Sequence, residues 1–226
     1  MTLLNEQLIL QAWNHNASPW IEALEAREIT SRELVTNQAI LETLQDIPSH
    51  SVLDLGCGEG WLSRALAAEG RKVVGVDAVP MFLETAKAKG GGDFKLCRYE
   101  HICRRTVGST VDLAVANFSL LGRQSVELVF RRLRPLLNYG GHFVVQTLHP
   151  HTSCGDLPYK DGWREGSWAG ISERFQEAAP WYFRTLETWL QLFNETGYSL
   201  QTIKEPVNPN TQKAASIIFV AQKIDV

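Results

Sequence analysis

Several things are scarce in this chain of 226 residues. Cysteine occurs four times, at 57, 97, 103 and 154, with no C-x-x-C pair and no spacing that reads as a framework of staples. That excludes a small disulfide scaffold and fits reduced thiols in a cytoplasmic protein. No apolar run nears the ~20 residues of a membrane helix, and Met1-Thr2-Leu3-Leu4-Asn5-Glu6 lacks the basic start of a signal peptide. Neither charge sign dominates: 22 Lys and Arg stand against 25 Asp and Glu, a net charge of −3. Arg104-Arg105 and Arg131-Arg132 are too short to form a basic patch, so neither nucleic acid nor an anionic membrane is expected as partner. Repeats and low-complexity tracts are missing, as are a Ser/His/Asp array and a paired-carboxylate device. His149, His151 and Cys154 match no common zinc spacing, and no metal is expected.

What is present is organised around Ser51-Val52-Leu53-Asp54-Leu55-Gly56-Cys57-Gly58-Glu59-Gly60-Trp61. A short apolar run meets a carboxylate, breaks into three alternating glycines, and passes into a helical pattern at Leu62, Ala65, Leu66 and Ala67. This reads as a buried strand, a tight turn and a helix N-terminus, the place where ligands bind in open α/β sheets. A dinucleotide fingerprint would carry its third glycine one place later. Here Trp61 takes that place and crowds the approach of a pyrophosphate, which disfavours a nicotinamide oxidoreductase. About 20 residues on, Lys72-Val73-Val74-Gly75-Val76-Asp77 is a second strand ending in an acid suited to ribose hydroxyls. A nucleoside ligand without phosphates points to S-adenosyl-L-methionine.

The segment Val52–Gly60 resembles motif I of the class I, Rossmann-like S-adenosylmethionine-dependent methyltransferases, and Asp77 resembles their acid after the second strand. Val111-Asp112-Leu113-Ala114-Val115-Ala116-Asn117 and the stretch from Leu136 to Val145 extend the resemblance over roughly residues 50 to 148. The resemblance implies an α/β, three-layer αβα sandwich whose seven-stranded sheet is mostly parallel, with the last strand antiparallel. It implies a donor site from Asp54, Gly56, Cys57, Gly58, Gly60, Trp61, Asp77, Ala78, Asn117 and Phe118, with S-adenosyl-L-homocysteine as product. In the family an acid after strand three holds the adenine amino group; here that place holds Arg98, which cannot accept a hydrogen bond. Tyr99 through its amide, Glu100, or a shifted register would serve instead.

In order, residues 3–14 form a helical stripe of Leu3, Leu4, Leu8, Ile9, Ala12 and Trp13, and Asn14 to Pro19 breaks it. A second helix opens at Thr30, with Glu33 at capping-box spacing, and ends at Pro48. Residues 1–47 are expected to form a helical lid and 48–226 the methyltransferase domain. Strands are expected at 51–55, 72–77, about 94–98, 111–116 and 142–148, with helices at 60–69, 80–89 and 125–137. The alternation implies a parallel sheet with right-handed crossovers. A helix at 185–196 and strands at 199–205 and 215–222 complete the chain.

Residues 149–184 interrupt this pattern with an insertion rich in aromatics, expected to form the acceptor pocket. His149 is the candidate base, Tyr159 its substitute and Arg184 the partner of an acidic group. The packing alternatives are that His149 caps the strand, Arg184 bridges the insertion to the core and the tryptophans form a small core of their own. The expected function is in-line methyl transfer to a small molecule. The alternative is a non-catalytic binding or scaffold protein that keeps the donor loop.

Overall fold

The computed structural model describes residues 2–169 and 171–224 and, in the first helix, side chains from Asn5 onward. The expected contacts of Leu3 and Leu4 lie outside the described side chains. The chain begins with α1 (Thr2–His15) and α2 (Ala17–Glu25), then a π-helical segment (Arg32–Thr36) that runs into α3 (Asn37–Gln45). Strand and helix then alternate: β1 (Ser51–Leu55), α4 (Trp61–Ala68), β2 (Lys72–Asp77), α5 (Pro80–Lys89), β3 (Asp93–Leu96), α6 (Arg104–Val107), β4 (Val111–Asn117), α7 (Gln124–Leu133) and β5 (Leu137–Thr147). The insertion holds α8 (Pro150–Ser153) and an antiparallel pair, β6 (Gly162–Arg164) and β7 (Trp181–Phe183); α9 (Leu186–Glu195), β8 (Tyr198–Lys204) and β9 (Ile217–Lys223) follow.

The main sheet has seven strands in the order β3-β2-β1-β4-β5-β9-β8. β1 to β5 pair in parallel, and β9 lies antiparallel between β5 and β8. The period-two alternation of the strands divides their side chains between two cores. Leu53, Leu55, Ala114, Ala116, Phe143 and Val145 pack against Val126, Val129, Phe130 and Leu133 of α7 and Trp189 and Phe193 of α9. Val52, Leu113, Val115 and Val144 face the other way, onto Ile40 and Leu44 of α3 and Leu62 and Leu66 of α4. Each fully buried Val, Leu, Ile or Phe among them contributes about 1.5–3 kcal/mol relative to exposure. Among the described residues no helix is long and apolar enough to cross a membrane.

Three local features differ from the sequence reading. Residues 17–25 are helical, although Ser18-Pro19 reads as a break. Pro19 lies in the first turn, where a missing N–H breaks no intrahelical bond. The Thr30–Glu33 capping box does not set the helix start: the Glu33 amide donates to the Ile29 carbonyl at 3.3 Å. Finally, β5 begins at Leu137 and not at 142, because Leu137 already pairs with Val111 across a register shift. Gly140-Gly141 is therefore inside the strand.

Candidate active site

The carboxyl ends of β1, β2 and β4 open into a cavity of about 420 Å³. Its floor is the turn after β1, with Gly56, Cys57 and Gly58, the end of β2 with Asp77, Ala78 and Val79, and the end of β4 with Asn117, Phe118 and Ser119. Cys97, Arg98, Tyr99 and Glu100 close one side. The roof comes from two distant parts of the chain. α1, α2 and the π-helical segment supply Ile9, Trp13, Trp20 and Arg32, and the insertion supplies Trp168, Ile171 and Trp181.

The floor is held by a short chain of bonds. Asp77 Oδ2 accepts from the Gly58 amide at 2.9 Å and Oδ1 from the Val79 amide at 2.8 Å. Burial pushes the Asp77 carboxyl up, and the amides of Val79, Gly58 and Ala78 oppose that shift. The Tyr99 hydroxyl donates to the Ser119 carbonyl at 3.1 Å, and the Ser119 hydroxyl donates to the Leu55 carbonyl at 2.6 Å. Together they tie the ends of β1 and β4 beneath the turn. Phe118 sits at φ +53°, an uncommon conformation for a bulky residue, with its amide bonded to the Gln146 carbonyl at 2.8 Å. Asn117 Oδ1 is buried beside the cavity with no partner among the described residues.

Ten of the residues expected at the donor line this cavity: Gly56, Cys57, Gly58, Trp61, Asp77, Ala78, Tyr99, Glu100, Asn117 and Phe118. Asp54 and Gly60 do not. Asp54 is buried behind the turn and accepts from the Ser63 hydroxyl at 2.7 Å. Gly60 caps α4 at φ +84°, and a Cβ there would meet Phe94 at 3.0 Å and Ala86 at 3.1 Å, so both conformation and packing require glycine. Burial pushes the Asp54 carboxyl from 3.8 up to about 7, with the Ser63 bond opposing and the Asp77 charge adding to the rise. A folded value above the unfolded one means that the contribution is whole below about pH 4 and is lost as pH climbs toward 7. Asp54→Asn keeps an acceptor for Ser63 and cannot ionise. Urea unfolding should therefore show the variant gaining on the wild type by about 1 kcal/mol or more between pH 4.5 and 7.5; a difference that stays constant with pH would refute the assignment.

The acceptor-side residues expected from sequence are placed differently. His149 is buried outside the cavity lining, its Nδ1 accepting from the His151 amide at 3.2 Å and its Nε2 at 2.6 Å from Glu205 Oε1. The Tyr159 hydroxyl accepts from the Leu186 amide at 2.9 Å, and the ring stacks on His151. Arg184 is buried, donates to the carbonyls of Gly122 and Arg123 at 2.9 Å each, and lies over the rings of Tyr182 and Trp189. All three occupy bracing positions, as in the packing alternatives, and none is among the residues that line the cavity. The insertion reaches the cavity through other residues, among them Trp168, Ile171 and Trp181.

The tryptophans of the roof form a packed cluster. Trp13 meets Trp20 edge-on at 5.1 Å and Trp168 at 5.5 Å, and Trp168 stacks on Phe175 at 4.5 Å. A seam of polar contacts joins the two roof pieces. Fully buried Asn16 donates to the Glu177 carbonyl at 3.1 Å and accepts from the Gln176 amide at 2.8 Å, and Arg174 pairs with Glu22 and Glu28. Sequence reading missed Glu6, which also lines the cavity. Its Oε1 accepts from the amides of Arg123 and Gln124 at 2.7 and 2.8 Å, fixing α1 to the start of α7.

Comparison with known proteins agrees with this geometry. A family model described as a methyltransferase domain matches residues 24–203. An uncharacterized methyltransferase of Schizosaccharomyces pombe is 22% identical over 71% of this chain and 64% of its own length. The malonyl-[acyl-carrier protein] O-methyltransferase of Legionella pneumophila is 32% identical over 67% of this chain and 53% of its own. The chain thus spans between about half and two thirds of these two relatives. The crystal structure of Burkholderia thailandensis 1,6-didemethyltoxoflavin-N1-methyltransferase superposes with a TM-score of 0.70 at 16% identity, covering 100% of this chain and 91% of that one. With the family model spanning most of the chain and the sheet in this order, the chain belongs to the methyltransferase-domain family and has its Rossmann-like fold.

Proposed function

We propose that this enzyme moves the methyl group of S-adenosylmethionine onto a planar small molecule held against the roof tryptophans, by in-line displacement. The observation that carries this reading is a single cavity whose floor suits a nucleoside and whose roof suits a flat apolar body. The residues present fit the donor. Asp77 is an acceptor-only group for ribose hydroxyls. The unpartnered Asn117 Oδ1 suits the donor's ammonium, and the space over Gly58 is open. Bound there, the donor supplies an electrophilic methyl on a positively charged sulfur.

The protein's own part is alignment and exclusion of water. Phe118 and the roof tryptophans wall off the space between donor and acceptor. Charge on sulfur disappears during transfer, so a free carboxylate beside it would favour the ground state. Two acids of the lining are already committed: Glu6 to the amides of α7 and Glu59 to Arg64 at 2.5 Å. On this reading residues 1–47 and 149–184 act together as the lid over the body of the domain.

The named activities of the relatives, on a toxoflavin precursor and on a malonyl group, support a small acceptor group. The test is calorimetric binding of S-adenosylhomocysteine, followed by transfer of a labelled methyl to a panel of planar acceptors. Hydrogen exchange in α1 and α2 should slow when S-adenosylhomocysteine is added. Binding without transfer to any acceptor would favour the scaffold alternative, and tighter binding of NADH would overturn the donor.

A further inference from the structure

The two roof pieces meet on one loop, residues 121–125 between β4 and α7. From the insertion, the Tyr182 amide donates to the Leu121 carbonyl at 2.7 Å, and Arg184 donates to the carbonyls of Gly122 and Arg123. The amides of the same loop go to α1. Glu6 Oε1 accepts from those of Arg123 and Gln124 and, at 3.4 Å, from that of Ser125, while Oε2 accepts from the Ser125 hydroxyl at 2.6 Å. Gly122 makes room for this carboxylate. A Cβ there would fall on Glu6 Oε2 and Ser125 Oγ, yet the backbone of Gly122 is not in the left-handed region. The glycine is needed for space alone, and the space holds the Glu6 carboxylate.

Glu6 shares a face of α1 with Ile9, Leu10 and Trp13, at i, i+3, i+4 and i+7, and all four line the cavity. Seating the carboxylate therefore sets where that face lies over the floor. The rest of the helix is thinly anchored. Trp13 packs on Phe82 of α5, and Ile9 and Ala12 are buried outside both cores of the sheet. Just past the end of α1, Asn16 is bonded to the insertion at Gln176 and Glu177. The helix is thus a strap with a polar fastening near each end, and the one at Glu6 is charge-assisted. Resting on the methyltransferase reading above, we propose that Glu6 is a latch: seated on the 121–125 loop it holds α1 closed over the donor, and it must leave that seat for S-adenosylhomocysteine to escape. It is a positioning residue and acts through α1. Because Tyr182 and Arg184 hold the same loop, the latch finds its seat only with the insertion in place, and the two roof pieces close as one.

The experiment times the dissociation of labelled S-adenosylhomocysteine chased with an excess of unlabelled compound. Glu6→Ala should speed dissociation about tenfold or more, and Glu6→Gln by less, since it keeps one acceptor oxygen. Gly122→Ala expels the carboxylate without altering it and should match Glu6→Ala. The double variant should be no faster than either single one, because both remove the same contact. Gly70→Ala, outside the cavity lining, lowers stability alone and should keep the wild-type rate. Three results overturn the proposal. One is dissociation within about twofold of the wild type in both Glu6→Ala and Gly122→Ala. Another is a double variant whose effect is the product of the two single effects. The third is equal acceleration in Gly70→Ala, which would make the effect one of stability. Failure of the wild type to bind S-adenosylhomocysteine would count instead against the methyltransferase reading. The latch is then read in the free protein, where hydrogen exchange in α1 should quicken in Glu6→Ala and Gly122→Ala alike; unchanged exchange there would overturn it.

Discussion

Asp77→Ala should reduce affinity for S-adenosylhomocysteine by a factor of about one hundred or more, since two charge-assisted bonds of about 1.5–3 kcal/mol each are removed. The carboxylate already orders the floor through the amides of Gly58 and Val79, so the loss includes the shape of the turn as well as the ribose contact. The same group predicts a pH dependence. Burial holds the Asp77 carboxyl above the usual carboxylate range, and the ribose hydroxyls need the ionised form as acceptor. Wild-type affinity should therefore be full above the raised pKa and fall as pH drops through it, while Asp77→Asn binds weakly with a flatter profile. Calorimetry across pH 5.5–8, with thermal melts to verify folding, measures both. Unchanged affinity in Asp77→Ala would remove Asp77 from the donor site.

The second large effect belongs to Gly56. Its φ is +67°, and a Cβ there would lie 2.4 Å from Ser119 Cβ and 2.7 Å from the Tyr99 hydroxyl. Those two residues are the brace that ties β1 to β4, so neither can give way without releasing the floor. Gly56→Ala should cost about 3–5 kcal/mol of stability, combining overpacking with backbone strain, and should abolish donor binding. Gly70 provides the control. It has a similar positive φ of +86° but nothing within 4 Å of its Cβ position. Gly70→Ala should cost only about 1–2 kcal/mol, the price of the backbone conformation alone. Urea unfolding of both variants tests the contrast, and equal costs would show that the brace is softer than the geometry indicates.

The floor was far more legible in the sequence than the roof. The bounds of β1, β2 and α5 follow from local chemistry: a buried apolar run, an acid at its end, Pro80 at the helix start and glycines after it. Such signals sit within a few residues of what they determine. The roof depends on contacts between distant parts of the chain. Arg184 looked like a ligand for an acid because its partners, the carbonyls of Gly122 and Arg123, lie 62 and 61 residues away. His149 looked free for proton transfer because Glu205, 56 residues on, is not visible from its neighbourhood. Arg32 and Glu6 gave no local signal at all; only the fold brings them to the cavity. Trp61 was legible as a donor-side residue from its place after the glycines, and the structure places it in the lining.

The seam between the roof pieces also sets an order for biosynthesis. Asn16 leaves the ribosome early, yet the backbone it binds, at Glu177, is made 161 residues later. At about 5–20 residues per second the N-terminal helices wait roughly ten to thirty seconds for that partner. Meanwhile β1 to β5 are completed, so the nascent chain has a finished floor before it can have a closed roof. Through that interval a methyl donor can reach the turn after β1 and leave again freely. Ribosome-bound chains extended just far enough to free Thr147 from the exit tunnel should thus be cut by protease within α1 and α2 while the strands resist. Chains extended far enough to free Glu177 from the exit tunnel should gain protection at both ends together.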